Sequence, residues 1–259
     1  MNRLPLIALV ACSVLAGVGE MIAAEYLSGL SWQEPPIVRP GITCGAPPSD
    51  AVVLFGGRDL SAFDGGEKWR VDGGVAIVGE GNITTRQEFG DCQLHIEWTS
   101  PTPAEGEGQN RGNSGLFFVR QGIGGGYELQ ILDSYDNRTY FDGQAGAIYK
   151  QTPPLVNAMR PPGEWNAYDV IWHWPRFNED GDLVRPATIT VLQNGVVIQS
   201  GFELKGDTPF NRPPQYQSHL PRGPIMLQDH LNPVRFRNIW VREIKPLHVE
   251  RVEQPALSP

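Results

Sequence analysis

The stretch Gly223–Ile244, GPIMLQDHLNPVRFRNIWVREI, decides the fold because it contains two strand patterns joined by a turn. Ile225–Leu227 is apolar, and Leu231–Pro233 interrupts it because asparagine favours turns and proline lacks a backbone donor. From Val234 onward, the side chains alternate between two faces of an extended strand. One predicted face carries Val234, Phe236, Asn238 and Trp240, and the other carries Arg235, Arg237, Ile239 and Val241.

Short strand patterns of the same kind recur along the chain, separated by turns that contain glycine and proline. Asn194-Gly195 lies between two of them and is the strongest two-residue hairpin signal in the sequence. The further predicted strands are Val52–Phe55, Trp69–Val71, Val75–Val78, Gln93–Thr99, Leu116–Arg120, Tyr127–Leu132, Ala147–Tyr149, Ala167–Trp172, Thr188–Gln193 and Val196–Phe202. Within the fourth of these, His95 is predicted to point outward. No segment has a sustained helical period, so the sequence predicts an all-β fold, an antiparallel sandwich or barrel.

The chain begins with a pattern typical of an export signal. A positively charged start precedes Leu4–Val18, which is apolar but too short for a stable membrane span. Cleavage after Ala24 fits simple export to the periplasm or the cell exterior, and a bacterial lipoprotein signal with Cys12 as the lipidated residue is the alternative. The predicted segments are a signal peptide at 1–24, an N-terminal arm at 25–50, a β-sandwich domain at 51–248 and a C-terminal tail at 249–259.

Composition argues against several classes of partner and cofactor. The formal net charge is -8 and no basic run occurs, which argues against nucleic acid and anionic membrane surfaces as partners. Cysteine and histidine lack paired metal-ligand spacing, and no phosphate loop or dinucleotide fingerprint is present, so we predict no metal ligands and no cofactor. After cleavage, Cys44 and Cys92 either form a disulfide in an oxidising compartment or stay as two free thiols. The oligomeric state stays open.

The turn inside the opening stretch holds the densest chemical cluster in the chain. Gln228, Asp229 and His230 bring together an amide, a carboxylate and an imidazole, and Arg235 and Arg237 follow closely. These side chains are candidates for a functional site. A polar hairpin end with surface ion pairs is the alternative, because structural ion-pair networks imitate functional sites.

The segment Tyr127–Asp133 is the second candidate. On a strand, Glu128 and Gln130 share one face, and a bulge near Leu132 would return Asp133 to that face. Polar groups of this kind are costly to bury without a use, which makes them better site candidates than isolated surface acids.

Two further segments could border a ligand. Gly112–Gly115 carries glycine at both ends, so its backbone can turn tightly or let a ligand approach, and Arg111 precedes it. A turn held by local Asn or Ser hydrogen bonds is the alternative. The proline-rich loop Gly143–Trp165 contains Lys150 and can line a groove, in which Tyr149 and Trp165 would stack on a sugar ring. The alternative is that Trp165 and Tyr149 are plain core residues.

Taken together, these motifs resemble one family, the 3-keto-disaccharide hydrolase domain. The segments that carry the resemblance are Leu54–Gly57, Gly112–Gly115, Tyr127–Ser134, Gly146–Tyr149, Pro162–Trp165, Asn194-Gly195, Leu227–His230 and Val234–Asn238. The sequence departs from the family pattern at Leu231, where the family often has glycine. The resemblance implies an antiparallel jelly-roll sandwich of the concanavalin A-like lectin/glucanase type, and action on glycosides oxidised at C3 of the sugar.

The chemistry that the resemblance implies is an elimination. A ketone at C3 acidifies the proton on C2, a base removes that proton, the group on C1 leaves, and water then adds to complete net hydrolysis. This route does not need the paired carboxylates of ordinary glycosidases, which agrees with Gln130 standing between Glu128 and Asp133.

Within that scheme, the predicted base is His230 or Glu128, and Asp229 orients it or donates a proton. The predicted substrate-binding residues are Arg111, Asn113, Gln130, Asp133, Lys150, Trp165, Gln228, Arg235 and Arg237, of which the cationic ones would stabilise developing negative charge. The expected partner is a small oxidised disaccharide or glycoside. A non-catalytic, lectin-like carbohydrate-binding module and a conventional glucanase stay open as alternatives.

Overall fold

The computed structural model describes residues 30–32, 43–247 and 249–251. The strands, in chain order, are β1 Leu30–Trp32, β2 Val52–Phe55, β3 Phe63–Asp64, β4 Arg70–Asp72, β5 Val75–Ile77, β6 Ile83–Thr85, β7 Cys92–Thr99, β8 Ser114–Val119, β9 Gly126–Ile131, β10 Asn166–His173, β11 Arg176–Phe177, β12 Leu183–Arg185, β13 Thr188–Gln193, β14 Val196–Glu203, β15 Ile225–Leu227, β16 Arg235–Glu243 and β17 Val249–Arg251. Short 3₁₀ helices occupy Gly66–Lys68, Gly108–Asn110 and Phe141–Gly143. Over the described residues, no helix is long and apolar enough to cross a membrane.

Two antiparallel sheets form the sandwich. The larger sheet has the strand order β14–β13–β10–β7–β16–β5–β4, and β2 also pairs with β16. The smaller sheet has the order β3–β6–β15–β8–β9. The predicted fold class, an antiparallel jelly-roll sandwich, is therefore confirmed.

The hydrophobic core lies between the two sheets and is rich in aromatic side chains. Phe118 of β8 stacks on Trp172 of β10 with ring centroids 4.3 Å apart and an interplanar angle of 6°. Leu129 and Ile131 of β9 are fully buried in the same core. Since side chains alternate along a strand, the residues between them face the opposite side of the smaller sheet.

The predicted alternation of β16 holds only for its first half. The register with β7 shifts between Arg237 and Trp240, and Asn238 has a φ of 46°. This bulge exchanges the two faces, so that Ile239 is buried in the core with Phe236. Trp240 instead stacks on the His95 ring at 5.4 Å, so the predicted common face for Phe236 and Trp240 is wrong.

Other differences from the sequence prediction lie in loops and short strands. The predicted strand Ala147–Tyr149 is reduced to isolated bridges of Ile148 with Leu129 and Thr152. Loop backbone follows no side-chain period, so the pattern did not indicate this. His95 lies on the outer face of β7 but is buried, because Trp240 stacks on its ring. The strands that the pattern missed are β1, β3, β6, β11, β12 and β17, which have two or three residues each.

Of the two alternatives for the cysteines, the structure shows two free thiols, so Cys44 and Cys92 do not form a disulfide. Cys44 is exposed, whereas Cys92 is fully buried in the core at the start of β7. Burial raises the pKa of the Cys92 thiol, which keeps it protonated and unreactive.

The two ends of the described chain pair with each other. β1 and β17 form a two-stranded antiparallel sheet, so part of the predicted arm and part of the predicted tail are extended. Met1–Ala24 and Cys12 lie outside the described residues. Export and lipidation therefore stay predictions.

Candidate active site

A cavity of about 570 Å³ opens on the smaller sheet, on the face opposite the core. We call it the main cavity. Its lining residues are Gln109, Asn113, Phe117, Glu128, Gln130, Tyr140, Tyr149, Thr208, Phe210, Gln228 and His230. The volume falls within the range of about 300–1,000 Å³ that is usual for small-molecule sites.

Strand alternation brings the central polar groups of the main cavity together. Leu129 and Ile131 enter the core, so Glu128 and Gln130 of β9 face the cavity. On the neighbouring strand β8, Phe117 pairs in register with Glu128. Glu128 and Gln130 therefore share one face, in agreement with the sequence prediction.

Gly115 leaves room for the polar groups on the cavity floor. It pairs in register with Gln130, and its carbonyl oxygen accepts a hydrogen bond from the backbone nitrogen of Gln228 at 3.0 Å. A Cβ at Gly115 would lie 2.8 Å from Glu128 Oε1 and 3.2 Å from Gln228 Oε1. The absence of a side chain here lets a carboxylate and an amide converge.

The turn after β15 supplies the opposite wall. The Ser114 hydroxyl donates to the Gln228 carbonyl oxygen at 2.7 Å, which ties this turn to β8. Gln228 and His230 both line the main cavity. His230 is exposed at the mouth, and its imidazole makes no hydrogen bond or ion pair with any described residue.

Glu128 is the one carboxylic acid among the described residues that line the main cavity. Its side chain is buried, and its carboxylate makes no hydrogen bond or ion pair with the described residues. Burial alone raises the pKa of Glu128 from 4.5 to about 8. A carboxyl group with a pKa near neutrality that faces a cavity can take and return a proton.

Neutral hydrogen-bonding groups surround this carboxylate. Gln130 Nε2 donates to Gln109 Oε1 at 3.2 Å, which fixes the amide orientation. The hydroxyls of Tyr140 and Tyr149 are 2.7 Å apart. Burial and the neighbouring Tyr140 raise the pKa of Tyr149, so it stays a protonated donor. These groups can hold sugar hydroxyls or a developing oxyanion.

Lys150 stands beside the main cavity rather than in its lining. Its Nζ lies 3.3 Å from the centroid of the Tyr140 ring and 3.9 Å from Asp142 Oδ1. The cation–π contact holds the ammonium group against an aromatic wall of the cavity. Across the described residues, no cluster of His, Cys, Asp or Glu has an arrangement that could hold a metal ion.

Asp229 points away from the main cavity. Its Oδ2 accepts a hydrogen bond from the Gly81 amide at 2.9 Å, and its Oδ1 accepts one from the Leu231 amide at 2.8 Å. Both contacts hold the turn that carries His230. The geometry therefore gives Asp229 a positioning role through the backbone, and it does not support direct proton donation to a ligand.

A second cavity of about 400 Å³ adjoins the first, and we call it the side cavity. Its lining residues are Pro101, Thr102, Pro103, Ala104, Glu105, Gly106, Asn110, Arg111, Gly112, Asp133, Leu231, Asn232, Pro233 and Arg235. The prediction that Asp133 shares a face with Glu128 is wrong. Asp133 lines the side cavity, where its Oδ2 accepts a hydrogen bond from Arg111 Nε at 2.8 Å. Arg111 and Arg235 therefore also lie outside the main cavity.

Trp165 and Arg237 lie outside the lining of both cavities. The Arg237 guanidinium carbon is 4.1 Å from the centroid of the Trp165 ring, and Arg237 Nε donates to Glu97 Oε2 at 2.5 Å. Trp165 and Arg237 thus form a stacked pair, and Arg237 of β16 is also ion-paired with Glu97 of β7. A sugar-stacking role for Trp165 receives no support from this arrangement.

Sequence reasoning missed five residues of the main cavity: Gln109, Phe117, Tyr140, Thr208 and Phe210. The position of Phe117 could have been predicted, because its neighbours Leu116 and Phe118 are core residues and strand alternation places Phe117 on the opposite face. The other four belong to loops or a 3₁₀ helix, where no side-chain period indicates which way a residue points.

Replacing Gly115 by Ala tests the crowded floor of the main cavity. The new methyl group would lie 2.6 Å from the Phe117 ring and would displace the Glu128 carboxylate, so ligand binding should weaken by at least tenfold while the fold persists. Gly90→Ala is the matched control, since its Cβ meets its nearest neighbour at an ordinary 3.6 Å. Equal ligand affinity of both variants by calorimetry would contradict the crowding.

Replacing Glu128 by Gln should stabilise the protein at alkaline pH. The pKa of Glu128 in the folded protein is about 8 and exceeds the ordinary 4.5. The contribution of the protonated Glu128 side chain to folding stability is therefore fully present below pH 4.5 and is lost as the pH rises through about 8. The neutral variant lacks this loss, and its Tm advantage should grow to several degrees above pH 8. Glu67→Gln, at an exposed glutamate, is the control. A Tm difference between Glu128→Gln and wild type that does not change between pH 4 and 9 would refute the raised pKa of the buried Glu128 carboxyl group.

Comparison with known proteins shows the family of the chain. A family model described as the 3-keto-alpha-glucoside-1,2-lyase-like domain matches residues 50–242. A candidate glycosyl hydrolase from Parabacteroides distasonis ATCC 8503 is 46% identical, with 90% of this chain and 100% of that chain covered and a TM-score of 0.76. A second candidate glycosyl hydrolase from the same organism is 21% identical, with 76% and 94% covered and a TM-score of 0.55, and this likeness shows the fold alone. No curated protein matches the chain. The chain belongs to the 3-keto-alpha-glucoside-1,2-lyase-like domain family, the one that its sequence motifs resemble.

Proposed function

We propose that this protein is a carbohydrate-active enzyme that cleaves glycosides oxidised at C3, by elimination across C1 and C2 followed by addition of water. Family membership supports the class of substrate. The observation that carries the mechanism is the Glu128 carboxylate, which is buried, faces a cavity and makes no hydrogen bond or ion pair with the residues that the structure describes.

The elimination step needs a base at C2. The base takes the C2 proton, and the C–H electrons form a conjugated enolate with the C3 ketone. The enolate then forms the C1–C2 double bond as the C1–O bond breaks, and the leaving oxygen receives a proton. Water adds across that double bond, with its oxygen bonding to C1, and the products are the 3-keto sugar and the free alcohol.

Glu128 is the better of the two predicted bases. A carboxylate whose pKa is raised to about 8 is a stronger base than an ordinary glutamate, and it is still partly ionised at neutral pH. The ketone lowers the barrier further because it delocalises the negative charge. His230, at the mouth of the main cavity, is then free to give a proton to the leaving oxygen.

Amide and hydroxyl groups would stabilise the enolate. Gln130, Gln228 and Tyr149 line the main cavity and offer neutral donors to an oxyanion. A positioned donor of this type contributes roughly 10²–10³ in rate. The predicted arginines lie outside the main cavity, so this proposal gives them no direct contact with the enolate.

A conventional glycosidase mechanism fits the main cavity less well. Retaining hydrolysis needs two carboxyl groups about 5–5.5 Å apart, one as acid and one as nucleophile. Among the residues that line the main cavity, Glu128 is the one carboxylate within the described chain. A lectin-like module would leave the cost of burying this group without a use.

The activity test compares 3-keto-trehalose with trehalose and uses two variants. Wild-type protein should cleave the keto sugar alone, with kcat/KM rising about tenfold per pH unit below pH 8 and levelling above it, as Glu128 ionises. Glu128→Gln should lose about 10²–10⁴ in kcat because glutamine cannot take a proton. His230→Gln should lose less on substrates with a good leaving group.

Three results would overturn parts of this scheme. Cleavage of plain trehalose would indicate a conventional glycosidase, and binding without turnover of either sugar would indicate a lectin-like module. Full loss of turnover in His230→Gln together with near-normal turnover in Glu128→Gln would move the base to His230.

A further inference from the structure

We infer that the side cavity is the subsite for the leaving group, and that Arg235 binds an anionic substituent on that group. The inference rests on the proposed function and extends it to a substrate class: 3-keto-glycosides whose leaving group carries a negative charge. The argument depends on the position of the side cavity, on its unpaired cation and on its apolar lip.

The main and side cavities share one thin wall. Gln109 of the main cavity is followed by Asn110 of the side cavity, and His230 of the main cavity is followed by Leu231 of the side cavity. The Asn113 amide donates to Asn232 Oδ1 at 3.1 Å, which joins the two chain segments of the wall. Consecutive Cα atoms are about 3.8 Å apart, so the two cavities lie within one residue of each other at this wall, and the inference places the group bonded to the sugar across it.

The side cavity contains one neutralised cation and one unpaired cation. Arg111 is balanced by Asp133, which is fully buried and also accepts a hydrogen bond from the Tyr135 amide at 3.1 Å. Arg235 is half-buried, and its guanidinium makes no ion pair or hydrogen bond with any described residue. The remaining charged residue in the lining, Glu105, is exposed to solvent and makes no ion pair with Arg235.

An unpaired, half-buried guanidinium is the group best suited to a carboxylate, sulfate or phosphate. Its planar fork donates two parallel hydrogen bonds to such an anion, and partial burial strengthens the attraction relative to open water. The net formal charge of the chain is -8, so the protein as a whole does not attract anions, and binding of one here depends on the local guanidinium.

Leu231 supplies an apolar surface at the lip of the side cavity. Its side chain is 92% exposed, and its backbone has a φ of 61°, which L residues other than Asn and Asp rarely adopt. A leucine held in this conformation without packing contacts is available for a ligand. Together, Leu231 and Arg235 fit a leaving group with an apolar body and an anionic end.

The test uses two 3-keto-α-glucosides with the same sugar, one of 4-hydroxybenzoate and one of its methyl ester. The two leaving groups have similar shape, and only the first carries a carboxylate. In wild-type protein, kcat/KM for the acid should exceed that for the ester by at least tenfold. In Arg235→Gln the ratio of the two values should fall to about one, whereas Arg70→Gln, which removes an exposed arginine on β4, should keep the wild-type ratio.

A binding experiment separates this inference from the proposed function. The unoxidised 4-carboxyphenyl α-glucoside and its methyl ester are titrated calorimetrically into wild-type protein and Arg235→Gln, so that no turnover is required. A wild-type preference for the acid that disappears in Arg235→Gln supports the subsite even if no keto-glycoside is cleaved. Equal affinities for acid and ester in wild type, or a preference that persists in Arg235→Gln, would overturn the inference.

Discussion

The structure depends on one constraint: the Glu128 carboxyl group is buried, and no described residue pairs with it to compensate its charge. Glu128 sits on the central part of β9, and strand alternation leaves it no direction except into the main cavity. Gly115 provides the space beneath it, and Phe117 provides an apolar neighbour. Burial of an unpaired acid costs free energy, so the fold around it must supply that stability from elsewhere.

The sandwich core supplies the stability that the main cavity costs. Aromatic pairs such as Phe118 with Trp172 lock the smaller sheet onto the larger one and hold β8 and β9 in a fixed register. Hydrogen bonds from Ser114 and to Asp229 then fix the turn that carries His230. The site is therefore built on rigid strands on one side and a pinned turn on the other, which favours a preorganised arrangement.

The sequence predicts the parts of this arrangement that follow a side-chain period. Alternation is enough to place Glu128 with Gln130, and the strand before Gln228 indicates where that amide emerges. It fails where backbone geometry breaks the period, as at Asn238, whose bulge turns Trp240 onto the outer face. It also fails for residues in loops, where contacts such as those of Tyr140 and Phe210 depend on tertiary packing that no local pattern encodes.

Direct titration of the Glu128 carboxyl group tests the central claim. Protein labelled with ¹³C at the glutamate side-chain carboxyl carbons would be titrated by NMR, and the Glu128 signal would be assigned by its loss in Glu128→Gln. The account predicts a midpoint near pH 8, far above the 4.5 of an ordinary glutamate. A midpoint between pH 4 and 5 would contradict the buried, partner-free carboxylate and with it the assignment of Glu128 as the base.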